Sequence, residues 1–415
     1  MNHLQRLALV FALFVVGCQT LPDTDQPTVG ERWTPELVAQ QSTDPERTWL
    51  TGGRELTESE LVLVELMESS HIPGLSAAVV KDGVLLWSSA LGWADPERGI
   101  PVDEGTLFQL ASISKTVTAT VAMQLVEAGV LDLDADLDEL LPFSVRHPEF
   151  PDVALTLRML LTHTAGLRDN WNVLEGTWVK DGDFHLSLRD SIAAYFTPAG
   201  EYYTKDKNFQ DWAPGTKGSY ANVGFALLAF AAEVASGRSF EELVREGVLG
   251  PLDIEGGFRL AEVDQERVAV PQRWNREGGF EGLGHHGYLD FASGTLRTSA
   301  LGLARFLAAN QLGGELDGAR ILNEATVADM LRVQLPDIDE EQGLAWYQDE
   351  IGGQLFWGHD GGDPGVATQM YFRPSDGIGF VLLLNGSPRG RGAERKLVGA
   401  LLGIGEAATT RRSIP

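Results

Sequence analysis

The chain has 415 residues, of which 59 are acidic and 32 basic, and its formal net charge is −27. Nucleic-acid binding requires a basic surface, so this charge argues against a nucleic-acid partner, and also against broad docking on anionic lipid headgroups. The single cysteine, Cys18, excludes a disulfide within the chain and a multi-cysteine metal site. A chain of this length can bury a large core without such cross-links.

The first 17 residues have the pattern of a bacterial lipoprotein signal. Arg6 precedes an apolar run over residues 7–16, which is too short to cross a bilayer as a helix. The run ends in Val-Val-Gly before Cys18, and this resembles a lipobox, in which the peptide is cut before the cysteine and the thiol is acylated. We therefore expect a lipid anchor on Cys18 and a location in the bacterial cell envelope, on the periplasmic side. In such lipoproteins an Asp directly after the cysteine favours retention in the inner membrane. This chain has Gln19 at that position, which favours the outer membrane. The alternative is an ordinary signal peptide in which the cysteine is incidental.

Residues 18–53 are polar and rich in Pro, Thr and Asp, which predicts a tether ahead of a folded domain over residues 54–415. An amphipathic pattern predicts a helix over Thr57–Ser70. Two short apolar runs on either side of Asp82-Gly83 then predict a β-hairpin.

Helix-like patterns dominate the middle of the chain, and strand-like patterns return near its end. Strands at both ends with helices between them predict an α/β (α+β) fold, in which one antiparallel sheet is flanked by terminal helices. We expect residues 54–106 and 286–405 to form the sheet part and residues 107–285 to form an inserted, mainly helical part. The predicted helices lie at 114–128, 155–161, 221–235 and around 397–402, and the later strands at 344–347, 354–358, 367–373 and 380–385.

Ser112 and Lys115 form the only Ser-x-x-Lys in the chain, and they stand where a helix is predicted to begin. Residues three apart share a helix face, so the hydroxyl and the amine can meet. A serine hydroxyl becomes a strong nucleophile when a neighbouring base takes its proton, and a lysine is such a base only if its pKa is lowered. The alternative is that Ser112 merely caps the helix and Lys115 is solvated.

Tyr220 and Asn222 form the only Tyr-x-Asn in the chain, just ahead of a predicted helix. A phenol near a lysine can relay a proton, and an Asn amide can hold a substrate carbonyl. The alternative is a packed tyrosine at a helix start with Asn222 as the cap.

The run His359-Asp360-Gly361-Gly362 ends a predicted strand. A glycine-rich strand edge lets a substrate approach the backbone closely and offers it N–H donors. The alternative is a plain turn, because paired glycines are common in turns.

Taken in this order, the three motifs resemble those of the serine β-lactamase and penicillin-recognising hydrolases, and most closely the class C β-lactamases and their related esterases. The resemblance covers about residues 56–402. The segments that carry it are FQLASISKT (108–116), LLTHTAGL (160–167), GSYANVGFALL (218–228), SGTLRTSALGLARF (293–306) and GHDGGDPG (358–365).

This resemblance implies a β-lactamase/transpeptidase-like fold and an acyl-enzyme on Ser112. It also implies that Lys115 and Tyr220 handle the proton, that Asn222 orients the acyl group, and that the backbone N–H groups of Ser112 and Gly362 form the oxyanion hole. No metal or other cofactor is implied.

The third motif departs from the family, where Lys-Thr-Gly or a close relative stands. His359 replaces the lysine and Asp360 replaces the hydroxyl residue. Histidine is mostly neutral at pH 7, and an added carboxylate disfavours an anionic group nearby. We therefore expect weaker recognition of a β-lactam or peptide carboxylate, and we favour an ester or amide as the small-molecule substrate. The alternative is that the neighbouring carboxylate holds His359 protonated, in which case the loss of recognition is not total.

Three functions remain open at this point. The first is an acyl-serine hydrolase that cleaves an ester or amide. The second is a β-lactamase or D-alanyl-D-alanine carboxypeptidase, and the third is a non-catalytic binding lipoprotein on the same fold. The oligomeric state is left unknown.

Some further residues have alternative roles. We expect His163 to fix a helix-to-loop junction rather than to act as a base, and His285-His286 to lie in a loop near the cleft rather than to bind a metal. Five aromatic residues could line an acyl pocket or pack in the core: Trp171, Trp178, Tyr202, Tyr203 and Trp212.

Overall fold

The computed structural model describes residues 56–277, 279–390 and 392–412. The predicted signal peptide, Cys18 and the tether lie outside these residues. The α-helices are α1 (Glu58–Ser70), α2 (Ser114–Glu127), α3 (Leu157–Leu161), α4 (Trp171–Leu174), α5 (Leu188–Phe196), α6 (Lys205–Asn208), α7 (Asn222–Ser236), α8 (Phe240–Val244), α9 (Ala300–Gln311), α10 (Glu324–Met330) and α11 (Ala393–Arg412).

Seven strands form one antiparallel sheet, in the order β13-β14-β15-β16-β1-β2-β3. Its strands come from both ends of the chain: β1 (Gly74–Lys81), β2 (Val84–Asp95), β3 (Ile100–Pro101), β13 (Tyr347–Ile351), β14 (Gln354–Asp363), β15 (Val366–Phe372) and β16 (Ile378–Leu384). Short pairs make up the rest: β4 (Phe108–Gln109), β5 (Val179–Lys180), β6 (Gly256–Gly257), β7 (Gln272–Asn275), β8 (Gly279–Gly282), β9 (His286–Gly287), β10 (Arg297–Thr298), β11 (Glu315–Leu316) and β12 (Ala319–Arg320).

The first hairpin shows why the local prediction succeeds. Asp82 and Gly83 both have positive φ, 49° and 77°, which is the backbone that a tight two-residue turn requires. The turn joins β1 to β2, and β1 also pairs with β16 with Leu75 opposite Leu384. Strands from the early and the late part of the described residues therefore pair at the middle of the sheet.

Each face of the sheet is covered by helices. The C-terminal helix α11 packs on α1, β1 and β16, and side chains of α1 share the core beneath it, whereas α9 packs on the opposite face of the sheet. Side chains alternate accordingly along β1: Val79 joins the core beneath the terminal helices and Val80 joins the larger core shared with the helical part. The predicted fold class, an antiparallel sheet with flanking terminal helices and a helical insertion, is confirmed.

Two local predictions need correction. Residues 344–346 are not a strand: β13 begins only at Tyr347, and Ala345 has φ of 65°. These residues are apolar because they are buried in the core, where the Trp346 ring stacks on Phe306. In addition, Ser112 does not lie in the α-helix; it lies in a single 3-10 turn, Ala111–Ile113, that leads into α2.

No single helix among the described residues is both long and apolar enough to cross a membrane. One bent pair, α7 with the segment Phe240–Leu249, meets that test of length and composition across a bend of 86°.

Candidate active site

Ser112 and Lys115 meet at the start of α2. Lys115 Nζ lies 3.0 Å from Ser112 Oγ and donates a hydrogen bond to the carbonyl oxygen of Ser293 at 2.8 Å. The lysine side chain is fully buried. Ser112 is not a helix cap, because α2 is preceded by Ile113 with no side-chain capping bond. The capping alternative is therefore wrong, and the amine is within hydrogen-bond reach of the hydroxyl.

The residue before the nucleophile has an unusual backbone. Ala111 has φ of 47°, in the left-handed region that side chains other than Gly rarely adopt. A residue held there costs on the order of 1–3 kcal/mol and persists where its surroundings fix it. Here the carbonyl of Leu110 accepts a hydrogen bond from Thr368 Oγ1 at 2.7 Å, which ties this turn to β15.

Burial lowers the pKa of the Lys115 amine to about 8, because the charged form loses its hydration. Four carboxylates oppose this shift, in the order Asp290, Asp169, Asp363 and Asp360. The amine is thus a mixture of charged and neutral forms near neutral pH, which is the condition for a general base.

Tyr220 lies on the other side of the nucleophile. Its phenol is hydrogen-bonded to Ser112, and its ring centre is 4.8 Å from Lys115 Nζ. Burial raises the pKa of this phenol well above its ordinary value, so Tyr220 is neutral in the resting site. A neutral phenol next to a partly neutral amine can pass a proton to it or take one from it.

His163 packs against the ring of Tyr220. The rings of His163 and Tyr220 are 4.3 Å apart, and His163 Nδ1 accepts a hydrogen bond from the backbone N–H of Ala221 at 3.2 Å. His163 comes one residue after Thr162, the C-cap of α3, and has φ of 57°. His163 therefore lies at the junction between a helix and a loop, as expected, and its contacts also position the Tyr220 ring.

Asn222 is the first residue of α7, and Asp169 holds it. The Asp169 carboxylate accepts from the backbone N–H and the side-chain Nδ2 of Asn222, at 3.0 and 2.9 Å, and from the N–H of Val223 at 3.1 Å. Asp169 therefore caps the helix, so the alternative that Asn222 is the cap is wrong. Burial and the neighbouring Asp290 charge raise the pKa of Asp169 to about 6. Below that pH the carboxyl is protonated and the hold on the Asn222 amide weakens.

Strand β14 brings the third motif beside Ser112. Its pairing with β13 ends at Gly358, so residues 359–363 pair only with β15 and line the cavity with their other edge. A Cβ added to Gly361 would lie 2.3 Å from the carbonyl oxygen of Leu110 and 3.0 Å from the N atom of Ser112, whereas a Cβ on Gly362 would meet nothing within 4 Å. Gly361 is needed for this close approach, and Gly362 is exposed beside the nucleophile.

His359 and Asp360 are held from the sheet. His359 is buried, its Nδ1 contacts the carbonyl oxygen of Asp360, and its ring packs on Tyr347 with centres 5.0 Å apart. The Asp360 carboxylate accepts a hydrogen bond from the Tyr347 hydroxyl, which also contacts the Tyr371 hydroxyl at 2.6 Å. A carboxylate fixed here faces the same cavity as Ser112.

The cavity around Ser112 has a volume of about 1690 Å³. Three of the five aromatic residues considered for an acyl pocket, Trp171, Trp178 and Trp212, line it. The other two, Tyr202 and Tyr203, pack against the core instead. One wall of the cavity is therefore aromatic.

Four residues of the site were not predicted: Asp169, Asp290, Ser293 and Asp363. Asp290 is buried and accepts a hydrogen bond from Ser293 Oγ at 3.0 Å, and Ser293 in turn accepts from Lys115. Ser293 and Asp363 stand inside segments that carry the family resemblance, which was the available signal. Asp169 and Asp290 carried none, since each is a single Asp in a chain with 59 acidic residues.

No set of three or more His, Cys, Asp or Glu side chains within the described ranges is arranged to hold a metal ion. His286 lines the cavity, as expected, but it lies in the two-residue strand β9 and not in a loop, because it pairs with Lys180 of β5.

Comparison with known proteins gives consistent matches. The family model described as Beta-lactamase matches residues 60–403. Penicillin-binding protein 4 of Amycolatopsis lactamdurans is 28% identical over 345 residues, which cover 77% of this chain and 83% of that protein. Esterase EstB of Burkholderia gladioli is 30% identical over 243 residues, covering 55% of this chain and 58% of the esterase. The structure of an octameric penicillin-binding protein homologue from Pyrococcus abyssi superposes with a TM-score of 0.68 at 25% identity, covering 83% of this chain and 77% of that one.

Proposed function

The chain belongs to the β-lactamase family of serine hydrolases, and we propose that it cleaves a carboxylic ester or amide through an acyl-enzyme on Ser112. One observation carries this proposal: a fully buried Lys115 amine, whose pKa burial lowers to about 8, lies 3.0 Å from the Ser112 hydroxyl. A solvated lysine beside a surface serine would have neither property.

In the acylation step the neutral Lys115 amine takes the Ser112 proton while Oγ attacks the carbonyl carbon of the substrate. The developing oxyanion is stabilised by the backbone N–H groups of Ser112 and Gly362. When the tetrahedral intermediate collapses, the bond to the leaving group breaks. Tyr220 gives its proton to the departing alcohol or amine, and the protonated Lys115 then gives a proton back to Tyr220.

In deacylation a water molecule is the nucleophile and Ser112 is the leaving group. The same base takes a proton from a water molecule, which attacks the acyl carbon, and Ser112 Oγ leaves with a proton. The sum is ester or amide plus water giving acid plus alcohol or amine, and the enzyme is unchanged. Asn222, held by Asp169, contacts the acyl group and orients it.

The test uses the full chain in detergent with a chromogenic short-chain ester. We expect hydrolysis by the wild type and its loss in Ser112→Ala and Lys115→Met. Ser144→Ala, which changes an exposed serine outside the cavity, is the matched control and retains activity. Equal rates for the wild type and Ser112→Ala contradict the proposal.

A second candidate is a β-lactamase or D-alanyl-D-alanine carboxypeptidase, because relatives include proteins named for penicillin binding and β-lactamase activity. The carboxylate of Asp360 beside His359, in the strand next to Ser112, counts against an anionic substrate. A labelled penicillin that modifies Ser112 at low concentration would favour this candidate. Absence of labelling in a protein that still cleaves esters would favour the first.

We also propose that the enzyme is a lipoprotein of the periplasmic side of the cell envelope, most simply of the outer membrane. The proposal rests on the short apolar run that ends at Cys18, the only cysteine in the chain. Cells fed an alkyne-tagged fatty acid should incorporate the tag into the wild type and not into Cys18→Ala. Equal incorporation in both, or none in either, contradicts it.

A further inference from the structure

A group of aromatic rings lines the cavity beyond the end of β14. The Trp178 ring stacks on His286 and on Tyr288, with centres 5.2 and 5.9 Å apart. The Tyr288 hydroxyl donates a hydrogen bond to Asp363 Oδ2 at 3.1 Å, and Gln109 Nε2 donates to the same atom at 2.8 Å. Trp178, His286, Tyr288 and Asp363 all line the cavity that contains Ser112. We call these four residues the aromatic–acidic wall.

His286 in this wall has an acceptor atom without a partner among the described residues. Its side chain is 93% buried (7% relative exposure), its ring hydrogen-bonds the carbonyl of Leu283, and its Nδ1 has no hydrogen-bond partner. Burial, together with the Arg297 charge, lowers the pKa of His286, so the ring is neutral and Nδ1 is an acceptor. A neutral imidazole with an unpaired acceptor adds no positive charge to this part of the cavity, so it does not repel a cation there.

The charges around the wall favour a cation. Among the carboxylates that line the cavity, Asp169, Asp290, Asp360 and Asp363 are near enough to Lys115 to act on its charge. Two buried cations oppose them: Lys115, and Arg297, which donates to the backbone carbonyls of Phe258, Thr295 and His286. The other basic side chains that line the cavity are exposed at its rim, and they are Arg168, Lys205, Arg273 and Arg389.

We propose that the aromatic–acidic wall is a subsite for a positively charged group of the substrate, such as an ammonium or a quaternary ammonium. Faces of Trp and Tyr attract such a group. Burial raises the pKa of the Asp363 carboxyl to about 7, and a cation beside it favours the ionised form, which neutralises the cation. The inference rests on the proposed function, because it assigns a substrate class to the same site. It goes beyond that function because neither an esterase nor an amidase requires a charged substrate.

A neutral aromatic or aliphatic acyl group is the competing occupant of the same wall. It would gain from the rings alone and would leave Asp363 without a partner from the substrate. Cationic and neutral groups of one shape therefore separate the two possibilities.

The experiment compares pairs of substrates that differ only in charge. One pair is the p-nitrophenyl ester of γ-trimethylammonio-butyric acid and its carbon isostere, in which tert-butyl replaces trimethylammonium. The second pair places the charge on the leaving group: butyrylthiocholine and its tert-butyl isostere. We expect kcat/KM of the full-length wild type to favour the cation in one of the pairs by at least about tenfold.

Variants of the wall should remove this preference. In Asp363→Asn and Trp178→Leu the ratio of kcat/KM between cation and isostere is expected to fall towards one, whatever happens to the absolute rates. Asp211→Asn, which changes an exposed carboxylate at the cavity rim, is the matched control and keeps the wild-type ratio. A wild-type ratio of one or less in both pairs overturns the subsite, as does a preference that both wall variants retain.

Binding gives a readout that needs no turnover. Calorimetry of the Ser112→Ala protein with phenyltrimethylammonium should detect binding that is lost when Asp363→Asn is added; no binding to Ser112→Ala overturns the subsite. The two proposals fail in different ways. Hydrolysis that requires Ser112 but ignores charge overturns the subsite alone, whereas absence of any hydrolysis that requires Ser112, with cation binding intact, overturns the proposed reaction alone.

Discussion

At the scale of single residues, the site depends on Lys115, whose protonation state is set by two opposing effects. Desolvation of Lys115 favours the neutral amine, and the surrounding carboxylates, Asp290 first among them, favour the ammonium. The balance leaves the pKa of Lys115 at about 8, so the fraction of free base changes steeply around that pH.

The pH dependence follows from this balance. For a neutral ester, kcat/KM should rise with pH and level off above about 8, because only the neutral amine accepts the Ser112 proton. Asp290→Asn removes the carboxylate that most opposes the lowered pKa, so the rise should move to lower pH. The measurement is a pH–rate profile of both proteins with an uncharged substrate. A midpoint that stays the same in Asp290→Asn contradicts the assigned electrostatics.

Tyr220 provides a second test at this scale. Tyr220→Phe keeps the ring that packs against His163 and removes only the hydroxyl bonded to Ser112. Loss of a general acid–base group costs about 10²–10⁴ in rate, and we expect a fall in kcat of this size with an unchanged melting temperature. If kcat falls less than about threefold, Tyr220 has no part in proton transfer.

At the scale of elements, the site is formed where strand β14 passes the turn that carries Ser112. The contact is close enough that Gly361 has no room for a side chain, and Thr368 on β15 ties the same turn down. The neighbouring Gly362 has open space. These two glycines form a matched pair within one motif.

We therefore expect Gly361→Ala and Gly362→Ala to differ. The first must displace β14 or the nucleophile turn, and overpacking of this kind costs about 1–3 kcal/mol, which predicts a fall in kcat/KM of about 5- to 150-fold. The second keeps its backbone N–H and meets no atom, so its kcat/KM should stay within a few-fold of the wild type. Equal losses in the two variants would show that space at Gly361 is not the constraint.

Most elements could be predicted because their signals are local. The 2-residue turn at Asp82-Gly83 and the apolar period of α7 need only neighbouring residues to be recognised. The segment 344–346 misled because burial of Trp346 against α9 makes an irregular stretch as apolar as a strand. The 3-10 turn that carries Ser112 could not be predicted for a similar reason, because the residue that holds it, Thr368, lies far away in the sequence.

At the scale of the whole molecule, the sheet and the helical part are joined by specific hydrogen bonds. Asn385, just after β16, donates from Nδ2 to the carbonyls of Trp93 and Ala94 in β2, at 3.0 and 3.1 Å, and to that of Val270 at 3.1 Å. Val270 comes two residues ahead of β7, so one buried side chain joins three segments of the chain.

Asn385→Ala leaves these buried carbonyls with fewer donors, and it should lower the free energy of unfolding by about 1–3 kcal/mol. The control is Asn172→Ala, an exposed position, where the change should be within about 0.5 kcal/mol. Thermal or chemical denaturation of both variants measures the difference. Similar stabilities for the two variants would mean that Asn385 does not join the parts.

The site residues that could be predicted are those that lie in motifs, and those that could not are brought in by the fold. Ser112, Lys115, Tyr220 and Asn222 stand in short patterns with a chemical meaning. Asp290, by contrast, acts on Lys115 from 175 residues away in sequence (290 minus 115), and only the packing of the helical part reveals it. Of the carboxylates that set the charge of the cavity, Asp169 and Asp290 belong to this second group, whereas Asp360 and Asp363 stand in the segment 358–365 that the sequence analysis had already singled out.

The most direct test of the central claim, that Ser112 forms the acyl-enzyme, is mass spectrometry of the full chain after treatment with a fluorophosphonate. The mechanism predicts one adduct, located by peptide mapping on Ser112, absent from Ser112→Ala and strongly reduced in Lys115→Met. An adduct on another serine, or an unlabelled wild type that still hydrolyses esters, would contradict it.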